Sequence, residues 1–298
     1  MNAMRGSARK LAETVWGMGS GRTRVGYLGP PGTFSEQAAR RYDPLARHVP
    51  FGDIESVVRA AEKEKIDEAL VPLENSTEGP VTVTTDLLVH RTDLRIRREV
   101  VLPIHLCLLT EGGVDFDEIR VVYSHPQAIA QCRDYLARKL PNAEPVASLS
   151  TVRAVEDMRI DGPGAAAISS LRAAEVRHAF VREGHIEDVP GNRTRFAVLA
   201  QRDHEPTGKD KTSICFDFAA DGPGTLYQAL GELANRRINM LKIESRPAKS
   251  SLGRYVFLID FEGHRTDRFV AEALDRIRER ASSFKILGSY PKASDPAP

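Results

Sequence analysis

At 298 residues the chain is too long for one small core and divides into two or three units of the usual ~100–150 residues. Its 42 basic and 41 acidic side chains leave a formal net charge of +1, so no global field recommends a nucleic acid or a membrane surface as partner. Three widely separated cysteines without a C-x-x-C pair argue against a disulfide framework and for a reducing, cytoplasmic setting, and no apolar run approaches the ~20 residues that span a bilayer.

Residues 1–23 mix basic side chains with glycines, lack the apolar core of a signal peptide, and read as a flexible extension. Over 24–202 short apolar runs alternate with amphipathic segments, which predicts an α/β unit with a mostly parallel sheet. Strands are expected at 24–28, 48–51, 68–72, 100–109, 119–124, 143–147, 165–169 and 196–201. Thr33-Phe34-Ser35-Glu36 and Ser124-His125-Pro126-Gln127 each fit a capping box, the second with proline in its first turn. Ser150 or Thr151 opens a further helix. The run at 100–109, broken by Pro103 and His105, follows a helix near 85–90 and is where the chain is expected to cross into a second lobe. The strand at 196–201 then returns to the first. Two such lobes leave a cleft at the carboxyl ends of their strands. A polar linker at 203–210 leads to a different pattern at 211–291: strand 213–218, helix 225–236, strands 239–245 and 254–261, helix 267–283, strand 285–290. That is a ferredoxin-like βαββαβ plan, followed by a polar tail at 292–298.

Gly26-Tyr27-Leu28-Gly29-Pro30-Pro31-Gly32 lacks the G-x-G-x-x-G spacing, and its prolines remove donors that a pyrophosphate needs. What remains is a helix start at Gly32, Thr33 and Phe34 whose N–H groups favour an anion. Glu74-Asn75-Ser76 gathers an acid, an amide and a hydroxyl at a strand end, though a turn cluster explains the same residues. Ser124-His125-Pro126-Gln127 and Ser148-Leu149-Ser150-Thr151 repeat the theme, again with capping as the simpler account. No G-x-S-x-G elbow supports a serine nucleophile. The eight histidines show no H-E-x-x-H or other ligand spacing, so no metal is expected. Asn192-Arg193-Thr194-Arg195-Phe196 places one hydroxyl between two guanidiniums just ahead of an apolar strand, either a basic turn or a donor inside an anion clamp. Five strand ends rich in neutral donors suit binding an organic anion and stabilising a leaving group.

The chain resembles the prephenate dehydratases that end in an ACT regulatory domain. The resemblance rests on Gly26-Tyr27-Leu28-Gly29-Pro30 with Gly32-Thr33-Phe34-Ser35, Val71-Pro72 with Glu74-Asn75-Ser76, and Ser124-His125-Pro126-Gln127-Ala128 with Gln131-Cys132. It continues through Ser150-Thr151, Asn192 with Thr194-Arg195-Phe196, and Glu244-Ser245-Arg246-Pro247. Val152 and Thr225 stand where the family usually has alanine. The resemblance implies a two-lobed, periplasmic-binding-protein-like α/β catalytic domain followed by a ferredoxin-like βαββαβ ACT domain. The implied reaction turns prephenate into phenylpyruvate, carbon dioxide and water with no cofactor and no metal. Within it Thr194 would assist the leaving hydroxyl and Arg195 would clamp a carboxylate. Asn75, Ser76, Gln127 and Thr151 would fix the ring and pyruvyl group, and Thr33, Ser124, Ser150 and Phe196 would line the pocket. Glu74 would either feed a proton relay or orient Asn75. Arg193, outside the matched motif, is expected to be solvated.

In the second domain, Thr225-Leu226-Tyr227-Gln228 fits a capping box and 244–247 an edge-strand stop. The resemblance implies instead that Gly224, Thr225, Leu226, Glu244, Ser245, Arg246 and Pro247 bind L-phenylalanine between paired domains, in a homodimer or homotetramer. Residues 1–24 leave no room for a fused chorismate mutase domain. Two other readings remain: an arogenate dehydratase, and a non-catalytic two-lobed sensor of small anions. The missing export signal and the pairing of Thr194 with Arg195 speak against the sensor.

Overall fold

The computed structural model describes residues 22–219, 222–248 and 254–293. The extension expected at 1–23 falls outside them except for its last two residues, and so does most of the 292–298 tail. Strands β1 (Arg24–Leu28), β2 (Arg47–Phe51), β3 (Glu68–Asn75), β4 (Gly79–Pro80) and β5 (Arg95–Pro103) begin the first sheet. The chain then crosses over and builds a second from β6 (Cys107–Thr110), β7 (Val121–Ser124), β8 (Glu144–Ala147), β9 (Ala165–Ser169) and β10 (Phe180–Gly184). Strand β11 (Arg193–Ala200) returns to the first sheet, whose order is β2-β1-β3-β11-β5 with β4 beside β3; the second runs β10-β6-β9-β7-β8. The apolar run at 100–109 is therefore two strands in two sheets, as its proline and histidine foretold.

The sheets are mixed rather than mostly parallel. Strand β11 lies antiparallel to both β3 and β5, and β6 antiparallel to β9 and β10. The reason is topological: a strand returning from another lobe need not follow the right-handed crossover that makes neighbours parallel. Strand β10, with one glycine and two charges in five residues, sits at the sheet edge and carries no clear alternation.

Helices α1 (Phe34–Tyr42), α2 (Ile54–Glu62) and α3 (Thr82–His90) cover the first sheet, and α4 (Pro126–Gln131), α5 (Arg133–Lys139), α6 (Thr151–Asp161) and α7 (Leu171–Arg177) the second. The lobes touch where α1 begins. A Cβ on Gly32, whose φ is +102°, would stand 3.2 Å from Ala173 Cα, and the Ser170 hydroxyl donates to the Gly32 carbonyl at 2.9 Å. The carboxyl ends of β1 and β9 thus face one another. No helix among the described residues is long and apolar enough to cross a membrane.

Strands β12 (Asp210–Asp217), β13 (Met240–Pro247), β14 (Tyr255–Glu262) and β15 (Ser283–Pro291) form an antiparallel sheet in the order β13-β14-β12-β15, with α8 (Thr225–Ala234) and α9 (Arg268–Arg280) between them in sequence. One face buries Phe216, Ile259 and Phe261 against Leu233, Val270 and Ile277 of these helices. The other packs on the first lobe, where Cys215, Leu258, Leu287 and Tyr290 share one cluster with Leu73, Leu88, Ile96 and Leu199. The expected capping box at α8 does not form: Gly224 is the N-cap and the Thr225 hydroxyl donates to the Gly222 carbonyl.

Docking is closest at Gly288, where φ is +153° and an added Cβ would meet the Ile96 carbonyl oxygen at 2.2 Å. Neither backbone can yield to a flexible side chain, so Gly288→Ala is expected to prise the sheet from β5. Thermal unfolding should show a fall in midpoint of several degrees, corresponding to the ~1–3 kcal/mol typical of overpacking or more.

Candidate active site

Thr194 is the second residue of β11 and pairs in register with Asn75, the last residue of β3. Because the strands are antiparallel, the start of one meets the end of the other, which brings both motifs to the carboxyl edge of the first sheet. The Asn75 side chain is fixed from behind. Its Oδ1 accepts the backbone N–H groups of Thr77 at 2.9 Å and Glu78 at 3.0 Å. That leaves only Nδ2 to face β11, and it donates to Thr194 Oγ1 at 2.9 Å and Asn192 Oδ1 at 2.8 Å. With its oxygen engaged as acceptor, the Thr194 hydroxyl is free to turn its own hydrogen elsewhere.

Ser76 belongs to the same knot, accepting the Arg193 N–H at 2.9 Å and donating to Asn192 Oδ1 at 3.3 Å. Asn192, only 6% exposed, reaches the second lobe: its Nδ2 donates to Gln131 Oε1 at 3.3 Å, and Gln131 Nε2 donates to Glu78 Oε1 at 3.3 Å. Asn192 and Gln131 stood in the matched motifs but were assigned no role from sequence, although an amide within two residues of Thr194 was a usable signal.

Arg195 does not join this group. Strand β11 begins at Arg193 rather than Phe196, so side chains already alternate across the motif and Arg195 points away from Thr194. Its Nη1 pairs with Asp260 of β14 at 2.7 Å and its Nη2 with Glu74 at 3.1 Å. The carboxylate clamp expected of Arg195 is thus corrected to a contact with the second domain. Glu74 is corrected with it, since its carboxylate lies between Arg195 and Lys242 Nζ at 3.1 Å and not beside Thr194. Lys242 continues to Glu244 at 3.3 Å, and Arg246 pairs with Asp86 of α3 at 3.4 Å. The Glu244 and Arg246 side chains therefore face the first lobe, contrary to the expected phenylalanine contacts, and alternation puts Ser245 and Pro247 on the opposite, exposed side.

Several expected pocket residues are structural. Phe196, 1% exposed, packs with Val25, Tyr27, Leu70 and Val100 in the core behind the site. Ser124 is fully buried and donates to the Ile168 carbonyl at 2.7 Å; the α4 cap is instead His125, whose Nδ1 accepts the Gln127 N–H. Thr33 caps α1, accepting the Glu36 N–H at 3.3 Å and donating to the Leu28 carbonyl at 3.0 Å. The anion site expected at that helix start is filled internally, because Glu36 Oε2 accepts the Gly32 N–H at 2.6 Å and Glu36 also pairs with Arg172 at 3.2 Å and Arg40 at 2.7 Å. Ser150 caps α6, accepting the Arg153 N–H at 3.0 Å, with Thr151 as the first helical residue. Gln127 is exposed at the start of α4. Arg193 is only partly exposed rather than solvated. Burial pushes the Cys132 thiol up to about 12 and the Cys215 thiol to about 11, so neither is a nucleophile at neutral pH.

The family model described as prephenate dehydratase matches residues 25–204, and that of the ACT domain matches 213–279. The chain is 40% identical over 273 residues to the bifunctional chorismate mutase/prephenate dehydratase of Aquifex aeolicus, covering 91% of this chain and 74% of the relative. It is 39% identical over 275 residues to the prephenate dehydratase of Amycolatopsis methanolica, covering 91% and 89%. The solved prephenate dehydratase of Arthrobacter aurescens in complex with L-phenylalanine superposes with a TM-score of 0.84 at 35% identity, over 91% of this chain and 90% of that one.

Proposed function

This chain belongs to the prephenate dehydratase family and carries an ACT domain, and from that premise we propose which of its side chains perform and control the reaction. The enzyme is a hydro-lyase that converts prephenate to phenylpyruvate, carbon dioxide and water, and L-phenylalanine regulates it through the ACT domain. Prephenate loses its ring carboxylate and its ring hydroxyl as the ring becomes aromatic. Aromatisation supplies the driving force, so the protein must hold the dianion with both departing groups aligned and neutralise the hydroxide as it leaves.

The observation that carries the assignment is the Asn75 amide donating to Thr194 Oγ1. A donor on the oxygen polarises the hydroxyl and leaves its hydrogen for the substrate. Threonine is too weak an acid to release a free proton early, so its hydrogen bond strengthens in the transition state, and the proton that completes water is drawn ultimately from solvent. Asn192, itself bonded by Ser76, holds Asn75, while Gln127, Thr151 and the amino terminus of α6 engage the pyruvyl and carboxylate groups.

For regulation we infer a route of ion pairs from Glu244 through Lys242 and Glu74 to Arg195, the neighbour of Thr194. Effector binding at Gly224–Leu226, Ser245 and Pro247, between two copies paired along the edge strand β13, would move β13 and with it this chain of charges. The exposed Leu241 and Ile243 on β13 support such pairing in a homodimer or homotetramer, and the composition supports a cytoplasmic setting.

One assay tests the reading. Purified protein is given prephenate or arogenate, and phenylpyruvate or phenylalanine release is followed with and without added L-phenylalanine. Prephenate turnover that falls with phenylalanine is expected; turnover of neither substrate would overturn the assignment.

A further inference from the structure

We propose that His105, His185 and Glu187 bind one divalent transition-metal ion of the zinc class, clipping together the two segments that join the lobes. His105 lies in the outward crossing, between β5 and β6, and His185 and Glu187 in the return crossing, between β10 and β11. The crossings already run side by side: the Ile186 N–H donates to the Leu106 carbonyl at 3.0 Å and the Ile104 N–H to the Asn192 carbonyl at 2.8 Å.

His105 Nδ1 stands 3.0 Å from His185 Nδ1 and 2.8 Å from Glu187 Oε1, and His185 Nδ1 stands 3.9 Å from the same oxygen. Tetrahedral zinc with bonds of ~2.0–2.1 Å separates neighbouring ligand atoms by about 3.3 Å, a value that the three distances bracket. Protons satisfy the cluster poorly. His105 Nδ1 carries at most one hydrogen, which can go to the carboxylate or to the other imidazole but not fully to both. A cation at the centre would use a lone pair from all three atoms.

The surroundings also orient the ligands. The Glu187 side chain is 6% exposed, against 47% for His105 and 73% for His185. Its second oxygen accepts the Leu106 N–H at 2.9 Å, the kind of support that metal-bound carboxylates receive. His185 takes a left-handed backbone with φ +55°, uncommon for a histidine, while its ring stands 4.2 Å from that of His105. Two imidazoles and one carboxylate suit zinc, nickel or copper better than magnesium or calcium, and the exposed side leaves a fourth position to water. The eighty-residue separation of the two histidines keeps the set invisible to motif spacing.

The test is to strip the full-length chain with a chelator and titrate it with Zn²⁺ by calorimetry and with Co²⁺ by visible absorption. One ion per chain is expected, with a ligand-field band for Co²⁺ and a Zn²⁺-dependent rise in unfolding temperature. His105→Ala and His185→Ala should each weaken binding at least about tenfold, while His204→Ala leaves it unchanged. His185→Gly serves as a second variant because glycine accepts the left-handed backbone: it should fold as well as the parent and still lose the metal. Absence of binding, or binding that survives the His105→Ala/His185→Ala double change, would overturn the proposal.

Discussion

Thr194→Ala is expected to lower kcat by about 10²–10³-fold with KM little changed, the loss typical of removing one donor at a developing negative charge. In the proposed mechanism the hydroxyl meets the substrate oxygen mainly after the bond has begun to break, so its removal would spare ground-state binding. Thr194→Ser keeps the hydroxyl and should retain most of the rate. Asn75→Asp provides a sharper check, because a carboxylate in place of the amide would accept the Thr194 hydrogen and turn the donor inward. It should approach the Thr194→Ala defect while leaving Thr194 in place. Steady-state kinetics on the three variants distinguish the outcomes, and near-full turnover by Thr194→Ala would remove Thr194 from the mechanism.

Arg195→Ala is expected to destabilise the folded chain by ~3–5 kcal/mol, the usual consequence of leaving a buried partner uncompensated, and to blunt inhibition by L-phenylalanine. Only 15% of the Arg195 side chain and 11% of the Asp260 side chain are exposed, so solvent cannot replace the lost charge. Urea unfolding and a phenylalanine inhibition curve measure the two effects. A residue that clamped substrate would behave in the opposite way, with KM raised and stability intact. The pH dependence has a definite sign. Burial alone would raise the Asp260 carboxyl, but Arg195, Lys211 and the Ser213 hydroxyl together hold it below the usual carboxylate range. Its stabilising contribution is complete above the unfolded value of ~3.9 and is lost as pH falls through the lower folded value. Acid should therefore loosen the domain contact, and Arg195→Ala should lack that part of the acid transition.

The carboxyl-terminal domain was legible in its order of elements, because each is short, separated by turns, and either strongly apolar or strongly periodic. The catalytic unit was legible in its alternation and in the crossing at Pro103 to Leu106. Strand direction was not, since apolar runs look alike in parallel and antiparallel neighbours. At the candidate site, sequence reasoning grouped Thr194, Asn75 and Ser76, which the structure brings together, but set Arg195 beside them. The error came from starting the strand at Phe196: three further residues of extended chain, Arg193 to Arg195, impose alternation on the motif and send adjacent side chains to opposite faces. Phe196 failed as a pocket residue for a different reason: it shares the Thr194 side of the strand but lies deeper, in the core.

The apolar cluster in which Leu73, Ile96 and Leu199 meet Leu258, Leu287 and Tyr290 bears on how this enzyme could ever escape its inhibitor. Shedding the sensor wholesale would strip one wall from the catalytic lobe and leave a sticky, poorly folded remnant. Insensitivity to the end product is more readily reached through point changes in the charged strip around Lys242 and Glu244, which leave the oily seam closed, so the seam would protect the sensor from being discarded even where the proposed ion-pair route is broken.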